Sequence, residues 1–319
     1  MDIIAGDIGG TKTYLTLINS KNPEEVMFEA RYSSTAFDSF EPLLDCFISD
    51  SGLEAGELGV LFLALPGVVS GDVARLTNLP WVIDRNKLMD TYNVGQVGFM
   101  NDFQASALGT LHLEENDCII INQGVHKAGA ISVVVGAGTG LGVSWVDHSS
   151  GKSVAYATEG GHMDFAPVDT EQAGLQQFLA HRFGHVSYER LLSGDGLVNI
   201  YEYLSGKDVS GIKAAWVNQE AQQGSEIAQH AMRVFVRIYG AYVGNLALLF
   251  RPEGGIYISG GIGSKMIEQM CSEDFTNAYL FKGRMQHVVE RVAVSLVTNE
   301  RVGVIGAISE AVRLQQDNK

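Results

Sequence analysis

A unit of apolar strand, glycine- and threonine-bearing turn and second apolar strand occurs twice in this chain, and no other feature limits the fold as tightly. The first copy runs through Ile3-Ile4-Ala5, turns at Gly6-Asp7-Ile8-Gly9-Gly10-Thr11 and returns through Tyr14, Leu15, Leu17 and Ile18. The second spans Ser132 to Val146 and turns at Gly136-Ala137-Gly138-Thr139-Gly140-Leu141-Gly142. Each reads as a hairpin folded around glycines. Together they read as a degenerate internal duplication.

Around these hairpins, strands and helices alternate. Further strands are expected at Glu25–Tyr32, Val60–Leu65, Gln96–Met100, Gly255–Ser259 and Arg291–Val297. Helices are expected from Phe40 to Ile48, Glu171 to Arg182, Gly196 to Leu204, Ile212 to Gln222, Ser225 to Phe250 and Val304 to Leu314, where apolar residues recur at helical spacing. The alternation predicts an α/β architecture with mixed sheets. A length of 319 residues suits two lobes better than one core. No linker rich in proline, serine or charge separates the halves, which predicts closely hinged lobes with a cleft between them.

The 37 acidic and 22 basic residues give a net charge of −15, which repels nucleic acid and anionic membrane, so neither is expected as a partner. A phosphate site in such a chain must draw on backbone N–H groups, a metal ion or a local basic patch. Cys46, Cys118 and Cys271 are scattered and without CxxC spacing, which disfavours a disulfide framework or a zinc site and suits a reducing cytoplasm. Met1-Asp2-Ile3-Ile4 lacks the basic start and long apolar run of a secretory leader. The uncharged stretch Ala128–Val146 has the length of a membrane span, but its glycines, serine and threonine point to two buried strands about a turn.

Three glycine turns follow apolar strands: Gly9-Gly10-Thr11, Gly138-Thr139-Gly140 and Gly260-Gly261. An anion reaches backbone N–H groups only where no Cβ intervenes, so each turn is a candidate phosphate contact as well as a plain tight turn. None fits GxxxxGK[ST], and the strand expected after Gly140 argues against a dinucleotide fold. Asp7 reads either as a carboxylate facing magnesium through water or as a cap on its own turn. Asp102, after Asn101 at a strand end, could take a proton from an alcohol or cap the helix that starts near Phe103. Glu159-Gly160-Gly161-His162 sets a carboxylate and an imidazole about two glycines, in a loop suited to sugar hydroxyls rather than on a metal-binding helix face. Glu189 reads equally as a surface carboxylate. The residues alone leave these alternatives open.

The segments Gly6–Thr11, Asn101-Asp102-Phe103, Gly136–Gly142, Glu159-Gly160-Gly161-His162-Met163-Asp164-Phe165-Ala166-Pro167, Gly184–Ser187 with Glu189-Arg190, Leu192–Asn199, Gly244–Leu248 and Ser259–Ile262 resemble, in order and over nearly the whole chain, the bacterial glucokinase family of the hexokinase–actin superfamily. The resemblance implies two ribonuclease-H-like lobes with mixed sheets around an interlobe cleft: a small lobe of residues 1–112 with 302–319 and a large lobe of 113–301. It implies ATP-dependent phosphorylation of glucose at its 6-hydroxyl, the first step of glycolysis, in a cytoplasmic homodimer. Asp102 would be the catalytic base, and Asn101, Glu159, His162 and Glu189 would hold sugar hydroxyls. Gly6, Asp7, Ile8, Gly9, Gly10 and Thr11 would lie at the phosphates, with Asp7 reaching magnesium through water. Gly138, Thr139 and Gly140 would add phosphate contacts, and Gly260 and Gly261 would lie beside the adenosine. Lys12 is shared with a related repressor/kinase family, whose cysteine-rich zinc loop is missing after His162. The segment Thr77–Trp81, a candidate lining of the sugar pocket, follows the family pattern loosely. The alternatives are a kinase of mannose, fructose or an N-acetyl-hexosamine, a sugar sensor without chemistry, and an actin-like or chaperone ATPase.

Overall fold

The computed structural model describes residues 2–54, 56–148 and 152–317; Met1 and residues 318–319, at the ends of the expected small lobe, lie outside the described residues. The chain divides into two compact units. One is drawn from Met1–Glu114, Ser153–Ala157 and Asn299–Lys319, the other from Glu115–Lys152 and Thr158–Thr298.

The first unit opens with β1 (Asp2–Ile8), β2 (Lys12–Asn19), β3 (Asn22–Ser33), α1 (Phe40–Ser51) and β4 (Leu58–Leu65). Three short strands follow, β5 (Gly67–Ser70), β6 (Val73–Leu76) and β7 (Val82–Asp84), then α2 (Arg85–Tyr92), β8 (Gln96–Asn101) and α3 (Asp102–Gly109). In the second unit come β9 (Cys118–Asn122), β10 (Ser132–Ala137) and β11 (Leu141–Asp147). After β12 (Val154–Thr158) follow α4 (Thr170–Phe183), α5 (Gly194–Ser205), α6 (Ala214–Gln222) and α7 (Glu226–Phe250). Then come β13 (Ile256–Ser259), α8 (Ile267–Met270), α9 (Glu273–Leu280), α10 (Gln286–Val289) and β14 (Val294–Val297). The closing helix α11 (Val302–Gln316) belongs again to the first unit.

The main sheet of the first unit has the order β3-β2-β1-β4-β8. There β1 is antiparallel to β2 and parallel to β4, and β4 is parallel to β8. In the second unit β11, β10, β13 and β14 repeat that arrangement: β10 is antiparallel to β11 and parallel to β13, which is parallel to β14. The two sheets are therefore mixed and built on one plan, in keeping with the duplication read from the hairpins.

Period-two alternation explains the two-sided burial of the first sheet. Ile4 and Ile8 of β1 and Leu61, Leu63 and Leu65 of β4 face a core completed by Phe40, Leu43, Leu44 and Phe47 of α1 and by Trp81. Ile3 and Ala5 with Val60, Phe62 and Ala64 face the opposite way, against Ala105 of α3 and Ala307 and Ala311 of α11. Every residue of β4 is buried, which is why it reads as an unbroken apolar run. The second unit has one large core, in which α7 is central. By length and composition α7 could cross a membrane, but 67% of its apolar window is buried inside the protein. The uncharged stretch Ala128–Val146 is instead the β10–β11 hairpin.

Expected elements recur within a few residues of their read bounds. Elements the sequence reading lacked are the β5-β6-β7 sheet, α2, β9, β12 and the short helices between β13 and β14. Trp81 also differs from expectation. It lies in the core, 1% exposed, with Nε1 donating to the Phe37 carbonyl oxygen at 3.2 Å.

Helices α3 and α11 meet through glycine. A Cβ on Gly306 would strike the Ala105 carbonyl oxygen, and one on Gly109 the Val302 carbonyl oxygen. A backbone carbonyl inside a helix cannot rotate away. Gly306→Ala should therefore destabilise the fold by about 1–3 kcal/mol, although alanine in an open helix would add about 1 kcal/mol. Urea unfolding of the variant checks this; unchanged or increased stability would contradict such close packing.

Candidate active site

In the first unit the chemistry gathers where β1 and β8 end. Asn101, not Asp102, is the N-cap of α3. Its Oδ1 accepts from the backbone N–H groups of Phe103 and Gln104 at 3.0 and 3.3 Å, and Gln104 Oε1 accepts from Asn101 N–H at 3.3 Å. This reciprocal cap satisfies the first orphan donors of the helix. It leaves Asp102 as the first helical residue, with Oδ1 accepting from Phe103 N–H at 2.9 Å. Gln104 Nε2 donates to the Ala155 carbonyl oxygen at 2.8 Å, fixing the cap further. The reading of Asp102 as the helix cap is thus corrected: the asparagine before it does that work.

Asp102 is only partly open to solvent, and burial raises its pKa from 3.8 to about 6, against the lowering effect of its backbone hydrogen bonds. Asp7 rises further, to about 7, first through burial and then through the charge of Asp102. The charge of Asp102 thus adds to burial in raising Asp7. Asp7 also lies at the first turn of α11, where a Cβ on Gly303 would run into its carboxyl group. A helix N-terminus favours an anion there.

The first glycine turn closes through Gly9 N–H donating to the Lys12 carbonyl oxygen at 2.8 Å. Gly10 sits against Asn78, whose Cβ would lie 2.9 Å from a Cβ on Gly10, while Thr11 is exposed. Within the Thr77–Trp81 segment Asn78, not Trp81, is therefore the residue at this turn. Gly6 and Ile8 are buried in the sheet, so either could meet a nucleotide through its backbone alone.

The second unit gathers two groups. In the β10–β11 turn Gly138 N–H donates to the Gly140 carbonyl oxygen at 2.8 Å, and Thr139 is exposed. Gly260, at φ +96°, packs on the Ala137 carbonyl oxygen, which also accepts from Ile262 N–H at 3.2 Å. Gly138–Gly140 and Gly260-Gly261 thus lie side by side, and a Cβ on Gly138 or Gly261 would meet nothing within 4 Å.

Beside them are the sugar candidates. His162 stands between two carboxylates, with Nε2 3.8 Å from Glu159 Oε2 and Nδ1 3.9 Å from Glu189 Oε1. Glu159 is 88% exposed and Glu189 31%. Glu189 is not a helix-surface residue. It lies on the short 3-10 turn Tyr188–Arg190, and its Oε2 accepts from Leu141 N–H at 3.0 Å. Sequence reasoning missed the support of that turn. Lys282 Nζ donates to Asn245 Oδ1 at 2.8 Å, and Asn245 Nδ2 donates to the Tyr188 hydroxyl at 3.0 Å. Burial lowers Lys282 to about 8.

The comparisons with known proteins show the family of the chain. The profile of the family described as Glucokinase matches residues 4–314. The chain belongs to the glucokinase family. The glucokinase of Synechocystis is 35% identical over 96% of this chain and 97% of its own length. The crystal structure of a glucokinase from an Antarctic psychrotroph superposes with a TM-score of 0.83 at 27% identity, covering 98% of this chain and 99% of that one. A ROK family glucokinase from Streptomyces griseus, in complex with glucose and AMPPNP, shares the fold at a TM-score of 0.66 and 18% identity, over 98% and 100% of the two chains. The chain is a sugar kinase with the hexokinase-like fold. In this glucokinase-family chain a carboxylate held at about pH 6 stands at the end of β8.

The raised pKa values carry a stability consequence. A carboxyl whose pKa is higher folded than unfolded contributes stability below the unfolded value, and that contribution is lost as pH rises through the folded value. For Asp102 the window runs from 3.8 to about 6. Asp102→Asn should therefore melt higher than the parent at pH 8, by about 2–4 °C for each kcal/mol relieved, and lose that advantage near pH 4. Thermal melts at both pH values check this; an Asn variant that melts lower at pH 8 would show the carboxylate to be stabilising.

Proposed function

We propose that this chain transfers the γ-phosphoryl group of ATP to the 6-hydroxyl of glucose, with Asp102 as the general base. The observation that carries the reading is the match to the glucokinase family over residues 4–314, beside which Asp102 stands as the first residue of α3 with its pKa raised by burial to about 6. Such a group is ionised at neutral pH yet basic enough to take a proton. As the sugar oxygen attacks the γ-phosphorus and ADP leaves, Asp102 accepts the hydroxyl proton. Positioning and charge stabilisation supply most of the remaining acceleration.

Asn101, with Oδ1 committed to the helix cap, offers Nδ2 to a sugar oxygen. Glu159, His162 and Glu189 supply further acceptors and a donor for the hydroxyls. Gly9, Gly10 and Thr11 contact phosphate through backbone and hydroxyl donors, as do Gly138, Thr139 and Gly140, and Gly260 and Gly261 border the adenosine. Roles follow the lobes: residues 1–112 with 302–319 carry the base, and 113–301 carry the remaining sugar contacts. ATP as donor is supported by Gly138 and Gly261, where a Cβ would meet no described atom within 4 Å, and by the AMPPNP complex of the Streptomyces griseus protein.

Magnesium fits the residues present. Among the described residues no group of three or more His, Cys, Asp or Glu side chains could hold a metal unaided. Asp7, crowded by the charge of Asp102, is the carboxylate that a cation would relieve, through water. When bound, the ion would neutralise charge on the phosphates. We also infer a homodimer in the cytoplasm, supported by the resemblance.

A sugar panel with ATP and magnesium, with ADP release coupled to an indicator, tests the reading. Glucose-dependent turnover supports it. Turnover confined to mannose, fructose or an N-acetyl-hexosamine, or hydrolysis independent of sugar, overturns it. Asp102→Ala should lower kcat roughly 10²–10⁴-fold with little change in KM for ATP; a kcat within threefold of the parent would remove Asp102 from the base role. In the parent enzyme kcat/KM for glucose should fall as pH drops below about 6, because protonated Asp102 cannot accept.

A further inference from the structure

The turn assigned above to phosphate is also the seat of a sugar carboxylate. Glu189 Oε2 accepts from Leu141 N–H, the first amide after Gly138-Thr139-Gly140, at 3.0 Å. The same carboxylate lies against Gly140: a Cβ there would fall 2.5 Å from Glu189 Oε2 and 3.3 Å from its Cδ, and, chain neighbours aside, no other atom of the described residues comes within 4 Å. The backbone behind Glu189 is tied to the turn as well. Ser193 Oγ donates to the Glu189 carbonyl oxygen at 2.8 Å, and Gly194 N–H donates to the Gly138 carbonyl oxygen at 2.9 Å. With Oε2 so held, Oε1 is the oxygen turned to His162.

We propose that Gly140 is a positioning residue for the sugar: its missing Cβ lets the Glu189 carboxylate seat on the Leu141 amide, and this need, rather than phosphate approach, is what demands glycine there. The inference rests on the sugar-binding role given to Glu189 above. Gly140 is not among the glycines with positive φ, so alanine meets no backbone strain at this position. The only group an added methyl would displace is the end of a flexible side chain. The chain should fold, and Glu189 should give way. Gly138 differs, because a Cβ there would enter open space. A methyl at Gly138 obstructs an anion approaching the turn; a methyl at Gly140 misplaces a carboxylate.

Steady-state kinetics of Gly140→Ala and Gly138→Ala separate the two effects. A misplaced charged hydrogen-bonding group should raise KM for glucose about tenfold or more in Gly140→Ala, with KM for ATP within about twofold, because alanine keeps the backbone N–H that this residue offers to phosphate. Gly138→Ala should show the reverse. In a Glu189→Ala background Gly140→Ala should change KM for glucose no further. A Gly140→Ala enzyme with raised KM for ATP and unchanged KM for glucose would overturn the inference, as would additive effects with Glu189→Ala. Should Gly140→Ala fail to melt cooperatively, Gly140→Ala with Glu189→Asp shortens the crowded side chain. Recovery of the melt would then support the inference, and no recovery would overturn it. Failure of the parent to use glucose would refute the proposed function instead, and turnover on the sugar panel reveals that separately.

Discussion

Two carboxyl groups close enough to feel each other, both raised in pKa by burial, are a costly arrangement for the first unit to hold. Asp7 is the last residue but one of a strand that is buried on both faces, and Asp102 opens a helix already capped by Asn101. Neither carboxyl can move far: the sheet register fixes Asp7 opposite Tyr14 and Ala64, and α3 is locked by a reciprocal cap. Rigid sheet and capped helix are what keep an unfavourable pair in place. Burial in that environment raises Asp102 to about 6, a value that suits the base role proposed for it.

The second unit applies the strand plan of the first to another task. Its hairpin turn is pinned by α5, whose N-cap Ser193 reaches the Glu189 carbonyl oxygen while Gly194 N–H reaches Gly138. Glycines in that turn therefore have different reasons to be glycine. Gly138 faces open space, Gly140 faces a carboxylate, and Gly260 stands in the left-handed region against a neighbouring carbonyl. A repeated fold does not repeat its chemistry; function depends on what each turn meets.

Much of this was legible in the sequence, for physical reasons. Doubly buried strands such as β4 and the long apolar helix α7 announce themselves as runs and periodicities. The strands β5 to β7, three or four residues each, are too short to carry a period, and α2 has only Leu88 buried. A better reading of local chemistry would have found α2, since Asp84 caps it by accepting from Asn86 and Lys87 N–H. It would also have found the Asn-x-x-Gln cap at Asn101. Asp7, Asp102, the Glu159–His162 loop and the glycine turns stood out by their own chemistry, but the choice among their roles came from resemblance, and the fold explains why. Glu189 and Leu141 meet across 48 residues of chain, and nothing local to either marks the contact.

The closing helix has a bearing on how the molecule is made. The face of the first sheet carrying Ile3, Val60 and Phe62 is completed by Ala307 and Ala311 of α11. During synthesis those strands leave the ribosome before α11, which follows the whole of the second unit. The part of this apolar face that α3 does not cover therefore waits for α11 while the second unit is made, and that interval is where chaperone capture and aggregation would compete with folding.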